Sequence, residues 1–277
     1  MAVLVNNQTQ LFLSVAAQPG NFGATVFYAL FAHYGLNAVY IPRKAPAPAS
    51  FVRSLRTLGV AGCSVSMPLK SKVVRLLDCL SDDARSLNSV NTIVQNRGVL
   101  TGHNTDWQGC FEVLRTRTIG SLLVFGTGSV VNSVVHAARA LGVGRISLTG
   151  RSPRRVHSKA RELGVAVWKG GEGGPAAHMD LIVNATPSGD DPGDAIRAIL
   201  PLCGGLFDLR VRAVASPLEQ EARKHGLWTL PGVEMAKFQL QKQMELYTGI
   251  LPPAELLDRL IQSGFLAGAS TPARAGG

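Results

Sequence analysis

Residues 121–141, SLLVFGTGSVVNSVVHAARAL, decide the fold. The stretch opens on an apolar run from Ser121 to Phe125, turns through Gly126-Thr127-Gly128, and continues with helical periodicity to about Leu141. A short apolar run closed by glycine reads as a buried strand, and the periodic segment after it as a helix. Such a turn leaves unpaired backbone N–H groups at the positive end of a helix, which suits a pyrophosphate. Gly126 permits the tight turn, Gly128 lets a phosphate approach the backbone, and Ser129 stands beside them. The third small residue of this fingerprint is replaced by Val131, expected to push the helix slightly away or to alter the loop. A structural turn without a ligand is the alternative for this pattern taken alone.

The next strand, Ile146 to Thr149, runs into Gly150-Arg151-Ser152-Pro153-Arg154-Arg155. An Asp or Glu at that strand end would bind the ribose hydroxyls and select NAD. Arg151 and Arg155 are instead suited to a 2′-phosphate, with Ser152 as a hydroxyl donor. A solvated basic turn is the competing reading, but its place behind a glycine loop and a strand favours NADP. Asp180 to Asn184 and Gly205 to Leu209 supply two more strands, so this region reads as a doubly wound nucleotide-binding domain.

Upstream, strand-like and helix-like segments alternate: Gln10 to Val15, Ala24 to Tyr34, Ala38 to Ile41, Ala49 to Leu58 and Gly62 to Val65. Ser71 to Leu80 is expected to be a helix, and Asn96-Arg97-Gly98 a hairpin turn between Ile93 to Gln95 and Val99 to Thr101. The alternation predicts a mostly parallel sheet covered by helices. A helix is expected over Trp107 to Leu114. After the nucleotide region come two helices, Met235 to Tyr247 and Pro253 to Ile261, and a small-residue tail from Gly264 expected to be disordered.

Within the first region, SMPLK ends at Lys70 and GHNTD ends at Asp106. A lysine beside a carboxylate is one way to build a proton donor and acceptor for carbonyl–alcohol chemistry; a solvated or structural pair is the other reading.

The 277 residues suffice for two domains, and 46% apolar with 17% charged residues is a globular balance. No apolar run approaches the roughly 18 residues of a membrane helix, and the start MAVLVNNQTQ lacks the form of a secretion signal. Cys63, Cys79, Cys110 and Cys203 show no metal-ligand or redox spacing, so no metal is expected and a reducing cytoplasm is the expected compartment. The net charge of +10 is scattered and aromatics are only 6%, without the basic–aromatic interleaving of nucleic-acid binders, so a nucleic-acid partner is not expected.

Several motifs, in order, resemble the shikimate dehydrogenase family over roughly residues 11–249. Its Ser-x-Ser loop matches Ser14-Val15-Ala16. Its Asn-Val-Thr-x-Pro-x-Lys is similar to Ser64-Val65-Ser66-Met67-Pro68-Leu69-Lys70, and its Gly-Ala-Val-Asn-Thr to Asn88-Ser89-Val90-Asn91-Thr92. Gly102-His103-Asn104-Thr105-Asp106, the glycine loop, Gly150-Arg151-Ser152 and Asn184-Ala185-Thr186-Pro187-Ser188-Gly189 follow, and the last match is residues 232–249 with Met235 and Gln239.

The resemblance implies an α/β chain of two domains, an N-terminal substrate domain over 1–106 and a Rossmann-type NADP-binding domain over 107–234. Helices over 235–263 would return to the substrate domain, with 264–277 as the tail. It implies an NADP-dependent oxidoreductase acting on shikimate or a close cyclic hydroxy acid, with Lys70 and Asp106 as the catalytic pair. Ser66, Asn91 and Gln239 would hold ring hydroxyls, and Ser14 would take part in carboxylate recognition. Gly126, Gly128, Ser129, Arg151, Ser152 and Arg155 would hold NADP, with Asn184 and Thr186 near it. A monomer or homodimer with a small-molecule partner is expected.

The departures bear on substrate. The second serine of the first loop is Ala16, and the family's Ser-Pro-x-x-His-Asn reads Ala16-Ala17-Gln18-Pro19-Gly20-Asn21. Losing one charge-assisted hydrogen bond costs roughly 1.5–3 kcal/mol. That points to a divergent branch, with quinate or another analogue as an alternative substrate. A different chemistry on this fold and a non-catalytic dinucleotide-binding protein are the competing functions.

Overall fold

The computed structural model describes residues 5–170, 178–186 and 193–269. The chain divides into two units. One runs to Thr105 and resumes at Gln239; the other is Asp106–Phe238.

The first unit contains β1 (Gln10–Ala16), α1 (Phe22–His33), β2 (Ala38–Lys44), α2 (Pro48–Thr57), β3 (Gly62–Val65), β4 (Cys79–Leu80), α3 (Asp82–Ser86), β5 (Thr92–Asn96) and β6 (Val99–His103). Its sheet has the order β2-β1-β3-β5-β6-β4. β1 pairs in parallel with β2 and β3, while β5 runs antiparallel to both β3 and β6. The β5–β6 hairpin turns at Arg97 (φ 48°) and Gly98 (φ 82°). Two central residues with positive φ match the right-handed twist of the flanking strands. Phe12, Phe27 and Phe31 are fully or almost fully buried on one face of this sheet, and the ring of Tyr40 stacks on Phe27 at 4.6 Å between centroids.

The second unit contains α4 (Asp106–Leu114), β7 (Ser121–Phe125), α5 (Val130–Ala140), β8 (Arg145–Thr149), α6 (Pro153–Leu163), β9 (Ala166–Val167), β10 (Met179–Asn184), α7 (Asp194–Arg197), β11 (Cys203–Asp208), α8 (Pro217–Lys224) and β12 (Trp228–Pro231). The sheet order β12-β11-β10-β7-β8-β9 is parallel throughout. In chain order this is the Rossmann arrangement, whose connections reverse direction between β7 and β10. All five residues of β7 are buried, as a strand covered on both faces requires. Helix α9 (Gly232–Thr248) starts in this unit, its residues 239–248 belong to the first, and α10 (Ala254–Ala269) follows.

Two expectations are corrected. Residues 71–80 are not a helix: only Val74–Leu76 make a 3₁₀ turn, and Cys79–Leu80 form a strand paired with β6. The Asp78 carboxylate accepts from the Leu100 amide and from Arg56, which holds the segment extended against the sheet edge. The chain from Gly264 is helical through Ala269, because Phe265 stacks on Phe22 of α1 at 5.2 Å; the rest of the expected tail lies outside the described residues. Val131 is wholly buried in the core cluster that also holds Val134 and Leu148.

Candidate active site

At one end of the first sheet, Ser14 of β1 is the register partner of Ser64 in β3, and Ser64 of Thr92 in β5. Register partners share a face, so three hydroxyl side chains form a row across adjacent strands. Helix α9 lies against this face. Its Gln239, Gln243 and Tyr247 are spaced by four and so share one side of the helix. Gly62 makes room for the contact, since a Cβ there would collide with the Tyr247 ring.

A buried network fills the contact. Tyr40 donates to Ser64 Oγ at 2.7 Å, Ser64 Oγ to Gln243 Oε1 at 3.1 Å, and Gln243 Nε2 to Thr92 Oγ1 at 2.9 Å. Thr92 donates to Asn91 Oδ1 at 2.9 Å, which also accepts the Thr105 backbone amide at 2.7 Å. The Tyr247 hydroxyl lies 3.1 Å from Ser64 Oγ. Burial pushes the Tyr40 and Tyr247 hydroxyls above the ordinary phenol pKa, so both stay protonated near neutrality. Burial, and then the Lys242 ammonium, lower the pKa of His103.

Asn91 is buried at this row, Ser14 and Gln239 are half-buried beside it, and Ser66 is exposed just past the end of β3. Lys70 is half-buried in the turn that follows, and its carbonyl accepts the Val90 amide at 2.9 Å. Asp106 is 2% exposed and opens α4, directly after the Thr105 that binds Asn91. Asp106 counts with the second unit and Lys70 with the first.

In the second unit Gly126 has φ 140°, and a Cβ there would come within 2.9 Å of the Ala185 carbonyl oxygen, so the turn needs glycine. At Gly128 a Cβ would meet nothing within 4 Å, which leaves the backbone open to a ligand. Ser129 is the N-cap of α5 and makes no side-chain cap. Arg151 is exposed just after β8, Ser152 stands at the N-cap position of α6 without a side-chain cap bond, and Arg155 is exposed in its first turn. A glycine cradle at one helix start and two arginines at the next strand end fit a dinucleotide bearing an extra phosphate.

Asn184 faces inward. Its Nδ2 donates to Asp208 Oδ1 at 3.0 Å, and its Oδ1 accepts from the Thr186 hydroxyl at 2.7 Å, so it shapes the strand end that carries Thr186. Asp208 pairs with buried Arg210 at 2.7 Å and accepts from Ser216 Oγ, which also heads the capping box of α8. Pro187, Ser188 and Gly189 of the motif lie outside the described residues. Among the described residues no grouping of His, Cys, Asp or Glu could hold a metal ion, and no helix is long and apolar enough to cross a membrane.

A model of the shikimate dehydrogenase substrate binding domain matches residues 23–93. A Pyrococcus abyssi protein named shikimate dehydrogenase (NADP(+)) is 31% identical over 241 residues, 84% of this chain and 89% of its own. The chain belongs to the shikimate dehydrogenase family. A shikimate dehydrogenase-like protein of Haemophilus influenzae is 29% identical over 263 residues, 92% of this chain and 96% of its own. Among solved structures, a shikimate 5-dehydrogenase-like protein superposes with a TM-score of 0.82 at 28% identity, covering 94% of this chain and 99% of that one. The Thermus thermophilus shikimate 5-dehydrogenase in complex with NADP(H) and shikimate superposes at 0.78 with 25% identity, covering 92% and 99%.

The row Ser64–Gln243–Thr92, with Tyr40 behind it, and the Asp208–Arg210–Ser216 cluster were given no role from the sequence. The spacing of four from Gln239 to Gln243 and Tyr247 was the one local signal. The rest depends on strand register, which no short motif carries.

Proposed function

We propose that the chain is an NADP-dependent oxidoreductase interconverting shikimate, or a close cyclic hydroxy acid, and its 3-dehydro ketone. The observation that carries this is a Rossmann unit with an open Gly128 and an arginine-flanked second strand, on a chain whose first unit lines one sheet end with the hydroxyls of Ser14, Ser64 and Thr92. The family relationship points the same way.

NADP, when bound, supplies or accepts the hydride; Gly126, Gly128 and Ser129 would hold its pyrophosphate, and Arg151, Ser152 and Arg155 its 2′-phosphate. Reduction of a ketone builds negative charge on oxygen, and the Lys70 ammonium would stabilise that charge and deliver a proton to it. In the reverse direction Lys70 takes the hydroxyl proton. Asp106 would orient the ammonium, and its position at the start of α4 favours a carboxylate. Ser66, Asn91 and Gln239 would fix the ring hydroxyls and Ser14 the carboxylate, with Ala16 contributing no hydroxyl. A cytoplasmic monomer or homodimer is the accompanying proposal, consistent with four cysteines carried as thiols.

The test is NADPH fluorescence and absorbance across a panel of cyclic hydroxy acids including shikimate and quinate. Turnover of one or more supports the reading. Tight NADPH binding with no turnover of any would sink it in favour of a different chemistry or a binding protein.

A further inference from the structure

The hydrogen bonds around Gln243 have only one possible direction. The Thr105 backbone N–H can only donate, so the Asn91 atom facing it at 2.7 Å is the carbonyl oxygen. Thr92, 2.9 Å from the same oxygen, must then donate its single proton there. It can only accept from Gln243, so the Gln243 atom 2.9 Å away is Nε2. That leaves Gln243 Oε1 to accept the proton of Ser64 at 3.1 Å. With its proton committed, Ser64 Oγ accepts from Tyr40 at 2.7 Å and from Tyr247 at 3.1 Å. The Thr105 amide fixes the first direction and each later one follows from it, so the group in the middle must donate at one end and accept at the other, as a carboxamide does.

Gln243 therefore joins two arms. One runs through Thr92 to Asn91 and to Thr105, the residue before Asp106. The other runs through Ser64, the register partner of Ser14. The side chain is 1% exposed and lies one helical turn beyond Gln239. We propose that Gln243 is a positioning residue for the substrate, holding the Asn91 end and the Ser14 end of the site at a fixed separation. This rests on the reading that Asn91 and Ser14 bind the hydroxyl and carboxylate of a cyclic hydroxy acid.

Two variants test it, with steady-state kinetics on shikimate from mildly acid to mildly alkaline pH, NADPH affinity by fluorescence, and circular dichroism. Gln243→Met keeps the volume and removes both polar ends. It is expected to raise KM roughly tenfold or more, the scale of a lost buried hydrogen-bond pair, with a far smaller change in kcat and none in NADPH affinity. Gln243→Glu is isosteric, and burial raises the pKa of its carboxyl. Protonated, it offers an O–H to Thr92 and a carbonyl to Ser64, as glutamine does; ionised, it offers Thr92 no donor. The ratio of variant to wild-type KM should therefore be near one in acid and climb as the carboxyl ionises. A residue that only stabilises the fold would give a ratio flat with pH. A flat ratio for Gln243→Glu, an unchanged KM for Gln243→Met, or a Gln243→Glu chain that is unfolded even in acid overturns the proposal. Wild-type protein inactive on every cyclic hydroxy acid overturns the functional reading itself, and this inference with it.

Discussion

The Val90 amide donates to the Lys70 carbonyl at 2.9 Å, tying the lysine's turn to the segment that carries Asn91. The Asn91 carbonyl in turn accepts the Val65 amide at 2.7 Å, and the Asn91 amide donates to His103 at 3.0 Å. The backbone around Lys70 is thus set by the same strands that present Asn91. Lys70→Ala is expected to lower kcat by roughly 10²–10⁴, the usual worth of a positioned acid–base group, while leaving NADPH affinity unchanged. Single-turnover kinetics beside thermal melts check this. A folded variant with near wild-type turnover would end the assignment.

That result would also test how far local sequence reaches. The run of residues 121–141 announced its strand, turn and helix because apolar period and glycine chemistry are local properties, and β7 begins and ends where the pattern did. Lys70 and Asp106 stood out because each closes a recognisable motif. Gln243 did not, since its importance comes from Ser64 and Thr92, which are far away in sequence and meet it only through strand pairing. Residues 71–80 misled for a similar reason: their apolar spacing suits a helix, but the Asp78 contacts with Arg56 and Leu100 are tertiary and override it. The same holds for the chain from Gly264, whose overall richness in small residues gave no sign of the Phe22–Phe265 stack.

Cofactor choice is expected to depend on the end of β8, where Arg151 is exposed and no acidic residue stands. Arg151→Ala should weaken NADP more than NAD by about 1–3 kcal/mol, the range of a charge-assisted phosphate contact. Fluorescence titration with both dinucleotides measures it. Equal loss for the two would mean that the arginine does not read the 2′-phosphate.

Ala16 lies two residues beyond Ser14 on β1 and therefore on the same face. Ala16→Ser restores a hydroxyl donor there and is expected to lower KM for shikimate with little change in kcat, as for an interaction equal in ground and transition states. An unchanged KM would show that position 16 does not meet the carboxylate, and the substrate search would widen.

The Asp208–Arg210 pair is buried on both sides, with side chains 1% and 5% exposed. Removing one partner leaves an uncompensated charge inside, so Arg210→Met should cost about 3–5 kcal/mol of stability. Because Asp208 also holds Asn184, which shapes the strand end at Thr186, NADPH affinity should fall as well. Chemical denaturation and NADPH titration on the same protein separate the two effects. A drop in stability alone would confine the cluster to a structural role.

Tyr40 and Tyr247 give a signature in alkali. Burial raises both hydroxyls above the unfolded value of 10.0, and their mutual repulsion as phenolates adds to the shift at Tyr247. A group whose folded pKa is raised contributes stability that is fully present below its unfolded pKa. That contribution is lost as pH climbs, because the unfolded chain releases the proton while the folded one keeps it. The window therefore opens near pH 10 and extends upward, and each tyrosine removes up to about 1.4 kcal/mol per pH unit there. Denaturation curves taken across this range should show stability falling more steeply for wild type than for Tyr40→Phe, in which one of the two groups no longer titrates. Phenolate absorbance recorded during the same alkaline titration should gain the contribution of Tyr40 only as the far-ultraviolet dichroism is lost. Ionisation of Tyr40 in a chain that keeps its native dichroism would mean that water reaches the Ser64 network, and the closed relay around Gln243 would have to be abandoned.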